Sequence, residues 1–293
     1  MKAIKFYVFI ILALAGLFSC EDVVENVKIP ESKEKLVVQC FISPQDTVIS
    51  VWVSMSVPIY NSNQNPFEGR LLPDAIVTIS CDGAFAAIPY NHDASNYQLP
   101  ASTFPIVAGK EYHLTVTRGS KEVSADCIVP VEPNTSLVVN SVDTAVGEYK
   151  DQIWYNVSFT DRVGTRDYYR LAGWKESVYS YCWDSIFWQH DTVIEELYID
   201  NGTLFFSDRQ TDGGSFRVKL TGYFDVFNES EISGKKTHIC LLTTDRGYYL
   251  YHTSVMNFQG DNPFQEPSLV YTNVVDGLGV FAGYNQYSIE LDY

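Results

Sequence analysis

Short runs of β-branched and aromatic residues, alternating in polarity and broken by turn residues about every 8–12 positions, limit what this chain can fold into. Lys35 to Ile42 (KLVVQCFI) and Thr47 to Val57 (TVISVWVSMSV) flank Ser43-Pro44-Gln45-Asp46 and read as a hairpin. Ala75 to Cys81, an Asp82-Gly83 turn and Ala84 to Ile88 follow, then Glu111 to Thr117 and Lys121 to Val129 around Arg118-Gly119-Ser120. This rhythm predicts an antiparallel, Ig-like β-sandwich over residues 35-130. Alternation places Val38, Cys40 and Ile42 on one face of their strand, Ala75, Val77, Ile79 and Cys81 on one face of theirs, and Val123, Ala125, Cys127 and Val129 on a third. Cys40, Cys81 and Cys127 are therefore expected in the core.

Pro130, Pro133 and Asn134 break the rhythm and mark the expected domain boundary. Residues 131-293 again read mostly as strand: Leu137 to Val142, Ile153 to Phe159, Tyr168 to Trp174, Val178 to Trp188, Leu204 to Ser207, Phe216 to Phe227 and Thr237 to Thr243. One segment departs from this. Thr244 as N-cap, Asp245 in the first turn, and Tyr248, Tyr251, Val255 and Phe258 at helical spacing predict a single amphipathic helix near 244-258. Two closing strands are expected around Asp276-Gly277, read as a tight hairpin turn, with Gly279 and Gly283 allowing bends or close backbone approach. The fold class is mainly β, a sandwich followed by a second β-rich domain with one short helix.

The chain carries 36 acidic against 20 basic side chains, a formal charge of −16, and 46% of its 293 residues are apolar. That balance gives no footprint for a phosphate backbone, so nucleic acid is not an expected partner. At the N-terminus, Lys2 and Lys5 precede an apolar run from Phe6 to Phe18, then Ser19 and Cys20, which is the layout of a signal peptide over residues 1-19. The run is shorter than the roughly 20 apolar residues a membrane-spanning helix needs. Leu17-Phe18-Ser19-Cys20 resembles a bacterial lipobox, in which cleavage falls before a cysteine carrying diacylglycerol, so Cys20 is the expected lipidation site. An ordinary secreted protein is the alternative. Multiple acyl chains give the stable membrane anchoring that one chain does not. Residues 20-34, rich in Glu, Asp and Lys with Pro30, read as a tether with a reach of at most about 45–50 Å.

With Cys20 lipidated, the six cysteines leave an odd number, so at least one thiol is expected free. Cys182 and Cys240 are the only pair in the second domain and form the candidate disulfide; two buried apolar thiols are the alternative. Without CxxC, HxH or a phosphate, dinucleotide, EF-hand or nucleophile-elbow motif, no metal, cofactor or catalytic residue is expected, and the chain reads as a non-enzyme. Asp212-Gly213-Gly214-Ser215 reads as a turn, and Glu195 and Glu196, which point to opposite faces of a strand, as a solvated acidic edge. The five histidines, His92, His113, His190, His238 and His252, are scattered and read as surface or half-buried. Tyr179, Tyr181, Trp183, Phe187 and Trp188 crowd one stretch; alternation sends part of them to the core, and Tyr179, Tyr181, Trp183 and Trp188 are the candidates for facing a ligand. Thr47, Thr144, Ser185 and Thr192 each follow an Asp in a short pattern similar to the O-glycosylation sequon of Bacteroidota.

A wider resemblance rests on four stretches: Cys20-Glu21; Leu36-Val37-Val38 with Asp74-Ala75-Ile76-Val77-Thr78-Ile79; Phe159-Thr160-Asp161 with Asp167-Tyr168-Tyr169-Arg170; and Asn262-Pro263-Phe264 and Glu266-Pro267 with Tyr271-Thr272-Asn273-Val274 and Gly277 through Tyr284 (GLGVFAGY). In these the chain resembles the Bacteroidota surface lipoprotein family known as domain of unknown function 4249, over nearly all of its length beyond Cys20. The resemblance implies an outer-membrane lipoprotein that faces the cell exterior and assists a TonB-dependent transporter in nutrient capture or import, and it implies no catalytic residue. Cys20-Glu21-Asp22 is also similar to the acidic signal that exports such lipoproteins to the outer face. A free-standing surface protein that binds glycans or mediates adhesion is the alternative.

Overall fold

The computed structural model describes residues 34–57, 71–147, 150–182, 188–199, 202–209, 212–225, 232–258 and 269–292, and residues Glu34–Tyr293 form one compact unit. The chain is mainly β. In the first part, β1 (Leu36–Ile42), β2 (Val48–Met55), β3 (Ile76–Cys81), β4 (Ala84–Ala87), β5 (Tyr90–Asn91), β6 (Asn96–Pro100), β7 (Glu111–Arg118) and β8 (Lys121–Ile128) follow one another. The second part contains β9 (Val138–Ala145), β10 (Lys150–Thr160), β11 (Tyr168–Cys182), β12 (Trp188–Glu196), β13 (Phe205–Ser207), β14 (Ser215–Asp225), β15 (Ile232–Thr244), α1 (Arg246–Met256) and β16 (Leu278–Asp292).

Three sheets result. The largest runs β12-β11-β15-β16-β1-β2-β6-β5, with β13 also on β11; the others are β14-β10-β9 and β4-β3-β7-β8. The strands of the first part form a sandwich. Leu36, Val38, Cys40 and Ile42 from β1 meet Val77, Ile79, Leu114, Val116, Ala125 and Cys127 from the four-stranded sheet in one core. Cys40 and Cys127 are buried and Cys81 packs half-buried against them, as alternation requires. A second core lies where Tyr155, Val157 and Phe159 of β10 meet Leu171, Ile239 and Leu241. Asn134, at the expected boundary, is buried and fastened to the second part of the chain, its N–H donating to Thr243 Oγ1 and its amide to the Thr160 carbonyl.

β16 joins everything. Odd positions of this strand supply Phe281 to the first core and Tyr287, Ile289 and Leu291 to the second; even positions Val280, Ala282 and Tyr284 turn to a third core beneath α1 with Phe41, Cys240, Leu242 and Tyr248. Asn285 is buried where the first two cores abut, donating to the Pro130 carbonyl and accepting from Gln45.

Three local expectations give way. Asp276-Gly277 is not a hairpin turn between two strands: Val275 makes a lone bridge to Ser124, and β16 then runs parallel to β1, with Val38 opposite Gly279. The helix is capped by Asp245 rather than Thr244, because Thr244 is the buried last residue of β15 and its hydroxyl donates to the Tyr168 carbonyl. The stretch read as separate strands at Tyr168 to Trp174 and Val178 to Trp188 is one strand to Cys182 followed by β12 from Trp188.

Candidate functional site

The loop from Asp161 to Asp167 joins β10 to β11 and is pinned by side chains rather than by its own turns. Arg162 donates from Nε and Nη2 to the two oxygens of Asp167 at 2.8 Å each and reaches Glu132 at 3.3 Å. The Tyr169 hydroxyl lies between Asp161 Oδ1 at 2.9 Å and Asp167 Oδ2 at 3.1 Å. Burial, with the two carboxylates beside it, pushes the Tyr169 phenol well up, and the Asp167 carboxylate holds Arg162 firmly charged. The next turn is tied to the same loop: Gly213 N–H donates to Asp161, Gly164 N–H to Asp212, and Asp167 N–H to Asp208. Asp161, Asp208 and Asp212 bring oxygens within 4.8 Å of one another. An all-carboxylate set suits a hard cation such as calcium rather than zinc. Both oxygens of Asp161 and one each of Asp208 and Asp212 already accept hydrogen bonds, so the visible work of the cluster is to fasten two loops.

This pinned loop forms one wall of an open cleft of about 1010 Å³, with Pro130 and Val131 on another side and Thr244, Asp245 and Arg246 at the start of α1 on a third. Asp245 Oδ1 accepts from Tyr248 N–H at 2.7 Å and Oδ2 from Gly283 N–H at 3.0 Å; burial pushes its carboxyl up to about 6 despite these bonds.

Beneath α1 lies a group of half-buried polar side chains around buried Tyr248. His252 stacks against Phe41 and Phe205 at ring distances of 5.0 and 5.5 Å and touches Tyr248 at 4.4 Å. Burial, and then the Arg170 charge, lowers its imidazole to about 4. Arg170 donates to the Tyr248 hydroxyl at 2.6 Å, whereas its Nε and His252 Nε2 are buried without a partner. Tyr284 donates to Asp46 at 2.7 Å, and burial raises both groups.

A third feature is the outer face of the β14-β10-β9 sheet. A depression of about 430 Å³ lies on it beside Arg217 and Lys219, and a second of about 290 Å³ lies past them at the β14 edge, where Ile199 and Phe206 pack on the second core. Asn140, Asn156 and Ser158 line the larger, and Thr203, Ile199 and Phe206 the smaller.

The residues expected to carry function from the sequence fall unevenly. Cys20, Trp183 and Ser185 lie outside the described residues, as do the side chains of Tyr181, Cys182 and Trp188. Tyr179 is half-buried on β11 opposite Asp191. Thr47, Thr144 and Thr192 are exposed. The expected Cys182–Cys240 disulfide is overturned. Cys240 is a free, buried thiol facing Ala172 on β11, ten positions before Cys182, a separation of about 33 Å along a strand. Glu195 is not merely part of a solvated edge, because it pairs at 2.8 Å with Lys175, a lysine buried inside the second sandwich whose Nζ also donates to the Tyr223 carbonyl. Lys175 was not legible as buried, although the alternation of β11, in which Leu171, Gly173 and Lys175 share a face, was its signal; Arg170 and His252 are half-buried.

Residues of the motifs singled out in the sequence meet in the fold. Asp161, Asp167 and Tyr169 share one network, and Asn273 fastens the chain before β16 by bonding the Phe281 carbonyl and N–H at 2.7 and 3.0 Å and the Asp126 carbonyl at 3.0 Å.

No curated protein matches the chain. Among solved structures, a two-domain fibronectin type-III segment of chicken tenascin is similar at 12% identity, covering 89% of this chain and 100% of that one, with a TM-score of 0.20. A protein from Bacteroides uniformis described as a "putative carbohydrate binding protein" is similar at 8% identity, covering 87% and 98%, with a TM-score of 0.16. The BSP domain of a biofilm-associated protein is similar at 8% identity, covering 88% and 59%, also with a TM-score of 0.16. Matched over residues 24–290, the chain belongs to the family described as domain of unknown function DUF4249.

Proposed function

We propose that this chain is a non-enzymatic surface lipoprotein of the outer membrane, held by lipid on Cys20, that assists a TonB-dependent transporter in nutrient capture or import. The observation that carries the reading is the spacing between anchor and body: the compact unit starts at Glu34, fourteen residues past the lipobox cysteine. A tether of that length lets the body rest on a neighbouring transporter while the acyl chains stay in the membrane. Among the described residues no helix is long and apolar enough to cross a bilayer, so the proposed attachment rests on Cys20.

Replacing Cys20 with Ala is expected to move the protein from the membrane pellet to the soluble fraction. Purification of the tagged wild type from mildly solubilised outer membranes is expected to bring down a TonB-dependent transporter in stoichiometric amount. Membrane retention of Cys20→Ala would remove the anchor from the proposal. Recovery of the protein alone, under conditions that preserve a known transporter complex, would remove the partner.

A further inference from the structure

The outer face of the β14-β10-β9 sheet differs in charge from the chain as a whole. The protein has a formal charge of −16, yet the described residues lining the two depressions include Arg217 and Lys219 and no carboxylate. Charges farther away than about 8 Å are screened at physiological salt, so a ligand seated here meets the local cations rather than the net charge. Asp143, which β9 places beside Trp154 on this face, accepts from Ser141 and Asn156 and keeps its charge, so the face sets two cations against one carboxylate.

The two cations are held differently. Lys219 sits over the Trp154 ring at 4.4 Å from its centroid, which fixes the ammonium against the sheet. Arg217 is exposed on β14 opposite Ser158 and, among the described residues, has neither ion pair nor hydrogen bond, so its planar fork is open to an incoming oxyanion. Around them the lining is hydroxyl and amide, Asn140, Asn156 and Ser158 on one side and Thr203 on the other; Asn140 and Ser158 bond each other and the Asn156 amide donates to Ser141 and Asp143, so what this side offers a ligand is chiefly acceptor lone pairs. Amide and hydroxyl oxygens accept, which matches the donors of vicinal sugar hydroxyls. The strand register keeps this array fixed, because Asn156 faces Lys219 and Ser158 faces Arg217 across β10 and β14.

We propose that these two depressions bind an acidic saccharide, with Arg217 and Lys219 receiving its carboxylate or sulfate and the oxygens of Asn140, Asn156, Ser158 and Thr203 accepting from its hydroxyls. The inference does not depend on the anchor or on a transporter, and it is tested on the isolated protein. The full chain, purified in detergent, is titrated calorimetrically with a trigalacturonate, a chondroitin sulfate tetrasaccharide and neutral galactotriose. Binding of one or both acidic probes, at least tenfold tighter than galactotriose, is expected, and which one binds decides between carboxylate and sulfate. Arg217→Ala and Lys219→Met are each expected to weaken the acidic probe by about tenfold, as loss of a charge-assisted hydrogen bond does. Both side chains point outward from the sheet, so an unchanged urea midpoint for each variant shows that the fold is intact. A second readout is tryptophan emission, which is expected to change on binding in wild type and not in Trp154→Phe, as the ligand draws Lys219 off the ring. Equal affinity for galactotriose, no binding of either acidic probe at millimolar concentration, or binding that both variants leave unchanged would each overturn the proposal.

Discussion

Gly279 lies directly beside Val38 in the parallel pairing of β16 with β1, at φ +106°, and so near that a side-chain carbon at position 279 would overlap the Val38 carbonyl oxygen. Two separate penalties therefore fall on any substitution there, the left-handed backbone and the loss of the strand contact that joins the sandwich to the rest of the large sheet. Gly279→Ala is expected to lower stability by at least about 3 kcal/mol in urea unfolding. Gly119→Ala is the control, since Gly119 also has positive φ, +60°, but nothing within 4 Å of an added carbon; its cost is expected to stay near about 1 kcal/mol. Equal losses at the two positions would show that the β1–β16 contact is not as close as described.

Asp245 and His252 face each other's consequences across one pH window. The Asp245 carboxyl is raised from 3.8 to about 6, so its contribution to stability is fully present below pH 3.8 and is lost as pH rises through 6. The His252 imidazole is lowered from 6.5 to about 4, so its contribution is present above pH 6.5 and is lost as pH falls through 4. The two slopes oppose one another between pH 4 and 6. The wild type is expected to show a flat contribution from this pair. Asp245→Asn, which keeps an acceptor for Tyr248 N–H, is expected to leave the histidine slope, with stability falling as pH drops from 6.5 to 4. His252→Phe is expected to leave the opposite slope. Denaturant midpoints at half-unit pH steps check both; parallel profiles for the two variants would contradict the assignments.

Alternation along strands carried much of the fold in legible form, because it encodes which face of a strand is buried. Val38, Cys40 and Ile42 read as one inward face and are one. Alternation says nothing about which strand lies alongside. The parallel pairing of β1 with β16, more than two hundred residues apart, left no local trace, and Asp276-Gly277 had the composition of a hairpin turn without being one. Asp276 does take the left-handed conformation its type tolerates, at φ +59°, but the chain it turns leads into a strand that pairs far away in sequence. The site features divide in the same way. Asp161, Asp167 and Tyr169 stood out as motif residues, while their partners Asp208 and Asp212 come from the β13–β14 loop, which only the fold brings to them. The basic groove was invisible in a chain of strongly acidic composition, because Arg217 and Lys219 meet Asn140 and Asn156 only through the register of three strands.

Asp167 carries more hydrogen bonds than its position in a loop suggests, taking both Arg162 nitrogens and the Tyr169 hydroxyl while only 9% of its side chain is exposed. Removing the carboxylate leaves Arg162 with Glu132 at the surface and half-buried without its bidentate partner. Asp167→Ala is expected to cost about 3 kcal/mol, and the Arg162→Ala/Asp167→Ala double-mutant cycle to show a coupling of about 1.5–3 kcal/mol in urea unfolding. A coupling near zero would mean that the pair is no stronger than an exposed surface contact.

Cys240 sits in the core beneath α1, among Leu242, Tyr248, Val280 and Ala282, with Ser288 Oγ 3.2 Å from its sulfur. Burial pushes the thiol up, and a protonated, enclosed sulfur is a poor nucleophile. A disulfide needs Cα atoms within about 7 Å, and β11 carries Cys182 away from Cys240 by several times that distance. Iodoacetamide is therefore expected to label Cys240 in urea and not in the native protein, with Cys40 and Cys127, both buried in the first core, behaving alike. Dithiothreitol is expected to leave Tm unchanged to within about 1 °C, since a disulfide lost from a domain of this size would lower it by several degrees. A Cys182–Cys240 peptide in a non-reducing digest of native protein would require β11 and β15 to be paired in a different register. That register would also separate Ala172 from Cys240 and empty the third core of the side chains that hold α1 to the sheet.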